Sequence, residues 1–244
     1  MGRRRVTPPP SSSPSGGPIT TQATQRTTVA VVGAGPGTGL AAAHRFGRQG
    51  FAVALVARDQ AKLERLAAEL AADGIAARGF AADVTDAAAL DRALDDAAGW
   101  GGPIEVLQYS PVPQREFLKP VLDTTPEDVA RALAFSVLGP VAAVQAVLPG
   151  MRSLGRGTIV FVNGGSAVRP NPAVAGTSVA FAAESAYAAV RHDALAAEGV
   201  HVAQLIVPGA IAADSPDSSP DAVAERIWTI HAQRDQQRYF QTPM

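Results

Sequence analysis

The stretch TVAVVGAGPGTGL, residues 28–40, decides the fold. Residues 28–33, apolar from Val29 on, read as a strand buried on both faces. Gly33, Gly35, Gly37 and Gly39 follow directly, and residues 40–49 then carry helical spacing. A strand, a glycine turn and a helix in succession let the backbone turn tightly and approach a pyrophosphate. The helix N-terminus adds unpaired N–H groups and a partial positive charge. The same turn would also serve simply to pack a helix on a sheet.

Downstream the pattern repeats. Strand-like runs at 52–57, 76–82, 104–109, 158–162 and 200–207 alternate with helical stretches at 60–72, 86–98, 126–149, 175–197 and 220–233. In 60–72, for example, Leu63, Leu66 and Leu70 recur at spacings of three and four. Such alternation predicts an α/β, doubly wound parallel sheet in a single domain, with ligands at the carboxyl ends of the strands.

After the second strand the sequence reads LVARDQAKL, with Ala57 and Arg58 where an NAD site would place an acid for the ribose 2′-hydroxyl. An arginine there suits a 2′-phosphate, so NADP(H) is favoured over NAD(H). A solvated arginine at a helix start is the alternative. Asp83 and Val84, after the third strand, are placed to hold the adenine, although Asp83 would look the same as a plain helix cap.

Composition narrows the classes further. Residues 1–27 include 17 Pro, Gly, Ser or Thr and no acid, and are expected to be a disordered tail preceding a domain over 28–244. The net charge is −1, and without the four tail arginines it is −5, which argues against nucleic acid as a partner. No cysteine is present, so thiolate metal sites and Cys nucleophiles are excluded, and the four histidines show no ligand spacing. The start of the chain does not read as a signal peptide, and no run of 18 consecutive apolar residues occurs. A soluble cytoplasmic protein is therefore the expectation.

Taken as a set, Gly33-Ala-Gly-Pro-Gly37-Thr-Gly39, Ala57-Arg58, Asp83-Val84, the strand at 104–109, GTIVFV (157–162), GVHV (199–202) and PGAI (208–211) resemble the short-chain dehydrogenase/reductase family. The likeness covers about residues 28–211. It implies a Rossmann-like fold, a nicotinamide cofactor also touched by Pro208 and Gly209, and oxidation or reduction at a carbonyl or alcohol. LQYSP (107–111) and the ending PDAVAERIWTIHAQR (220–234) resemble a divergent bacterial branch of the family.

The family's catalytic pattern is missing. Its active-site Asn aligns with Ser136, its Ser with Gly164, its Tyr with Thr177 and its Lys with Phe181. The two lysines of the chain, Lys62 and Lys119, lie elsewhere. Tyr187-Ala-Ala-Val-Arg191 imitates the Tyr-x3-Lys spacing, but ten residues too late, roughly 15 Å along a helix, and reads as core or interface. Ala213 stands in place of the family's Thr after Pro-Gly. Candidates for surviving chemistry are Tyr109 as proton donor, and Ser136, Asn163 and Thr177 as hydrogen-bonding groups.

Losing a positioned general acid costs about two to four decades of rate, roughly 3–5 kcal/mol, so hydride transfer is not forbidden. It stays useful when the substrate spreads its own negative charge. The residues are thus compatible with three readings: an atypical NADP(H)-linked oxidoreductase acting on a conjugated or polycyclic ketone or alcohol of secondary metabolism, a cyclase, dehydratase or isomerase on the same scaffold, and a nucleotide-binding pseudoenzyme. The helices at 126–149 and 175–197 are apolar around most of their circumference, and the family pairs these helices between subunits. A homodimer or homotetramer is expected.

Overall fold

The computed structural model describes residues 1–2 and 26–244, so the tail expected to be disordered lies almost wholly outside the described residues. From Thr28 the chain runs β1 (Thr28–Val32), α1 (Thr38–Gly47), β2 (Ala52–Ala57), α2 (Gln60–Ala72), β3 (Ala77–Ala81), α3 (Ala87–Gly101) and β4 (Ile104–Tyr109). It continues with α4 (Pro126–Leu133), α5 (Gly139–Leu154), β5 (Gly157–Gly164), α6 (Ala175–Leu195), β6 (Val200–Val207), α7 (Pro220–Gln233) and β7 (Arg238–Phe240). The strands form one seven-stranded sheet in the order β3-β2-β1-β4-β5-β6-β7, parallel throughout.

Strand periodicity divides the core in two. Val29 and Val31 of β1 join the cluster under α1, α2 and α7, which includes Phe46, Leu63 and Ile227. Ala30 and Val32 face the opposite layer, with Leu94, Val144 and Ala180 from α3, α5 and α6. Because both faces are covered, the strands lack the polar alternation of a half-exposed sheet. This is the expected doubly wound, Rossmann-like architecture.

Two details depart from the sequence reading. The stretch expected as one helix at 126–149 is interrupted by a π-helical turn, Ala134–Leu138, and α5 extends to Leu154. Pro140 explains the interruption, since it has no N–H to continue the α-helical ladder. The edge strand β7, three residues long, was not expected. It pairs with β6 at Gln204, Leu205 and Ile206.

The segments Pro126–Leu154 and Pro172–Glu198 are long and apolar enough to cross a membrane by length and composition, though neither is an unbroken apolar run. In this fold half of each apolar window is buried against the sheet, as a core helix requires.

Candidate active site

A cleft of about 500 Å³ opens at the carboxyl ends of the strands, where the sheet order reverses between β1 and β4. At one end the glycine turn forms its wall, and the four glycines divide into two kinds. Gly33 has φ +92°, and a Cβ there would stand 2.5 Å from the backbone of Pro111. Gly39 packs against Ala34, 3.1 Å from where its Cβ would be. These two shape the turn. Gly35 and Gly37 face open space: a Cβ on Gly37 would meet nothing within 4 Å, and one on Gly35 only the Lys62 ammonium at 4.0 Å. Gly37 caps α1 without any side-chain hydrogen bond, so the first helical N–H groups have no side-chain partner. An anion that approaches Gly35 and Gly37 meets backbone and helix dipole together.

Arg58 and Lys62 line the same end of the cleft. Asp59 accepts from the Lys62 backbone N–H at 3.0 Å and caps α2, which carries Lys62 up towards Gly35. Lys62 was not anticipated as a site residue. Its place four residues after Arg58 is the available signal.

Asp83 and Val84 also line the cleft. Asp83 is not a plain helix cap, because Asp86 caps α3. Burial pushes the Asp83 carboxyl up. Hydrogen bonds from Thr85 N–H (2.9 Å) and Oγ1 (2.7 Å), with the charge of Arg58, outweigh that and hold it below the usual carboxylate range. Gly209, with φ +77°, lines the far side, while Pro208 packs behind it against Gly165.

The opposite end is apolar: Pro111, Val112, Phe135, Phe181 and Ile211 line it, and Ser110 supplies its one hydroxyl among the described residues. Ser110 Oγ accepts from Gln108 Nε2 at 2.9 Å. Of the four candidate catalytic residues only Asn163 reaches this wall. Its Nδ2 donates to Glu184 Oε2 at 2.7 Å, and its Oδ1 accepts from Gln204 Nε2 at 2.8 Å.

The other three point elsewhere. Tyr109 is buried beneath the cleft, and its hydroxyl donates to the Phe135 carbonyl at 2.7 Å. Burial, with the nearby charges of Glu184 and Asp83, pushes its phenol well above the usual range. Tyr109 shares a strand face with Leu107, since side chains alternate along β4, and this turns it towards α4 and α5 instead of the cleft. That geometry speaks against its reading as proton donor. Ser136 is buried in the π-helical turn. Thr177 is buried on α6 and donates to the Val174 carbonyl at 3.0 Å. Tyr187 packs against Phe161 and accepts from Arg191 Nε at 3.1 Å, as a residue at the edge of the core does.

Glu184 is the second residue not anticipated. It is fully buried on α6, and burial pushes its carboxyl up to about 8 against the opposing effect of the Asn163 hydrogen bond. A single acid within the small and apolar run AGTSVAFAAESA was its signal.

Comparison with known proteins bears on the fold and the family. The chain is 37% identical over 132 residues to 2-(S)-hydroxypropyl-CoM dehydrogenase 3 of Xanthobacter autotrophicus, covering 54% of this chain and 51% of that protein. It is 37% identical over 130 residues to D-threitol dehydrogenase of Mycolicibacterium smegmatis, covering 53% and 49%. The matches thus span about half the length of these curated relatives. Among solved structures, a short-chain dehydrogenase from Rhodopseudomonas palustris superposes with a TM-score of 0.79 at 25% identity, covering 89% of this chain and 99% of that one. An NADPH-bound short chain oxidoreductase from Pseudomonas aeruginosa PAO1, described as containing an atypical catalytic center, gives 0.80 at 22% identity, covering 88% and 94%. The family model for short chain dehydrogenases matches residues 27–223. The chain belongs to the short-chain dehydrogenase family.

Proposed function

We propose that the protein is an NADP(H)-dependent oxidoreductase that reduces or oxidises a conjugated or polycyclic ketone or alcohol without a tyrosine–lysine pair. The observation that carries this reading is the division of one cleft into two chemically opposite ends. Gly35, Gly37 and the start of α1 would hold the pyrophosphate, with Arg58 and Lys62 beside them for the 2′-phosphate. Asp83 and Val84 would border the adenine. Such a cofactor supplies or accepts hydride when bound. Family membership and the NADPH reported with the Pseudomonas aeruginosa protein are consistent with this.

At the other end Phe181 replaces an ammonium, and the wall offers a hydroxyl and an amide in an apolar surround. A substrate seated there has to carry its developing negative charge largely by itself, as a quinone or extended enone does. The apolar lining around Phe135, Phe181 and Ile211 suits a flat, carbon-rich ligand.

The missing phenol and ammonium equally favour a second reading, in which the cleft binds a nucleotide or orients a reactive substrate without redox chemistry. Calorimetric titration with NADPH and with NADH, followed by a screen of quinones and conjugated ketones for hydride transfer, tests both. Binding of NADPH without turnover of any acceptor selects the second; binding of neither nucleotide at millimolar concentration excludes the first.

On the outer surface, Leu138, Val179 and Val190 expose 63%, 49% and 63% of their area on the π turn and α6. A second copy covering these helices would account for them, so the homodimer or homotetramer remains part of the proposal, as does a soluble cytoplasmic setting. Light scattering at micromolar concentration checks the assembly.

A further inference from the structure

Asn163, on the cleft wall, ends a buried chain of polar groups between the sheet and α6. The chain has a direction. Arg238 Nε on β7 donates to Gln204 Oε1 on β6 at 3.0 Å, which fixes the orientation of that amide. Gln204 Nε2 therefore points inward and donates to Asn163 Oδ1 at 2.8 Å and to Ser185 Oγ at 2.6 Å. Asn163 must in turn present Nδ2 to Glu184 Oε2, at 2.7 Å. The run of donors ends on one carboxyl.

Glu184 is 1% exposed, and its second oxygen, Oε1, has no hydrogen-bond partner among the described residues. Ionising it leaves a buried anion held by a single neutral amide, which is costly; keeping it neutral places a proton where nothing else competes for it. The groups that face it are neutral: Asn163 from β5, the Tyr109 phenol from β4, whose own ionisation is opposed by the Glu184 charge, and Ser185 on α6 by way of Gln204. Arg238 is separated from it by two amides. Glu184 lies one helical turn beyond Phe181, and Phe181, Gly164 and Asn163 share the apolar end of the cleft.

We propose that Glu184 couples a proton to the oxidation state of the nicotinamide cofactor, being neutral beside the reduced ring and ionised beside the oxidised one. This inference rests on the cofactor reading above. A reduced nicotinamide is uncharged and an oxidised one carries a positive charge. With phenylalanine at position 181, no fixed cation opposes that charge, and Glu184 is the ionisable group that the wall's hydrogen bonds reach. Hydride transfer to a carbonyl or quinone breaks one C–H bond, moves two electrons to the acceptor and leaves the ring one charge more positive. Loss of one proton from Glu184 restores the local charge and matches the proton that the reduced acceptor takes up.

The test is calorimetric titration of the full chain with NADP⁺ and with NADPH between pH 6.5 and 9.5, in the wild type and in Glu184→Gln. The 2′-phosphate titrates alike in both forms and cancels in the ratio of affinities. In the wild type NADP⁺ should gain on NADPH by roughly fivefold or more as pH rises, the size expected for one buried charge acting several ångströms from another. Glu184→Gln should remove that dependence. A wild-type ratio that is flat with pH, or a slope that survives in Glu184→Gln, overturns the coupling and leaves the cofactor reading standing. Should the variant not fold, the wild type decides alone: titration at pH 7 in two buffers of different ionisation heat must show proton release with NADP⁺ beyond that with NADPH. Absence of binding by both forms overturns the cofactor reading and the coupling with it.

Discussion

The hydroxyl of Tyr109 donates to the carbonyl of Phe135 at 2.7 Å, and the reason lies five residues further on, at Pro140. In the π-helical turn the Gly139 N–H bonds to Ala134 O, which takes away the partner that Phe135 O would have in an α-helix. The next donor in π register is residue 140, a proline without an N–H. The Phe135 carbonyl would be orphaned, and the phenol fills the vacancy. A Cβ on Gly139 would collide with that hydroxyl, which explains the glycine there.

Tyr109→Phe should therefore destabilise the fold by about 1–3 kcal/mol, the cost of a buried carbonyl left unsatisfied. NADPH affinity should stay within about twofold, because the phenol does not face the cleft. In a Pro140→Ala background the cost should shrink, since the new N–H can serve Phe135 O. Denaturant unfolding of the four chains of this double-mutant cycle measures the coupling. Full additivity would contradict the argument.

The glycine turn separates stability from binding. Gly33→Ala puts a Cβ 2.5 Å from the Pro111 backbone at a φ of +92°, and a cost of roughly 2–4 kcal/mol is expected. Gly35→Ala meets only the end of Lys62, so stability should change by less than about 1 kcal/mol while nucleotide affinity falls roughly tenfold. Thermal unfolding and calorimetric titration of the two variants check this crossed pattern.

Arg58 and Lys62 should act on NADPH and not on NADH. Replacing either by alanine removes a charge-assisted contact to the 2′-phosphate, an expected loss of about tenfold in NADPH affinity, with NADH changed little. The double variant should lose the preference altogether. A comparable loss for both nucleotides would place these cations on the pyrophosphate instead.

Much of the fold was legible because burial on both faces leaves strands as apolar runs, and the predicted span 200–207 coincides with β6. The glycine turn and Arg58 stand out in the sequence because the roles proposed for them follow from backbone and charge, and both line the cleft. β7 was not, since three residues, Arg238–Phe240, carry too little pattern and owe their conformation to pairing with β6. For Tyr109 the strand end is legible but the facing is not: the structure turns it, on the same strand face as Leu107, into the layer under α4 and α5. Lys62 and Glu184 escaped because helix position fixes neither reach nor burial. Lys62 stands out by its approach to Gly35, and Glu184 by its hydrogen bond to Asn163 on β5, the strand that precedes its helix.

Stability should peak near pH 6.5, for reasons set by three buried groups. His201 and His231 are held down to about 4, chiefly by burial, so the native state binds fewer protons than the unfolded chain between about 4 and 6.5. Stability therefore rises with pH across that window and is lost as pH falls through it. Glu184 acts in the opposite sense. Its folded value of about 8 lies above the ordinary carboxylate range, so the native state binds the extra proton from roughly pH 4.5 upward, and stability drains away as pH rises to about 8. Below pH 6.5 the two histidines outweigh the single carboxyl; above it only the carboxyl is left. Urea unfolding from pH 5 to 9 should trace a maximum near 6.5, and Glu184→Gln should level the alkaline limb and steepen the acid one, since the histidines then act unopposed. An alkaline decline that persists in Glu184→Gln would mean that some other group holds that proton.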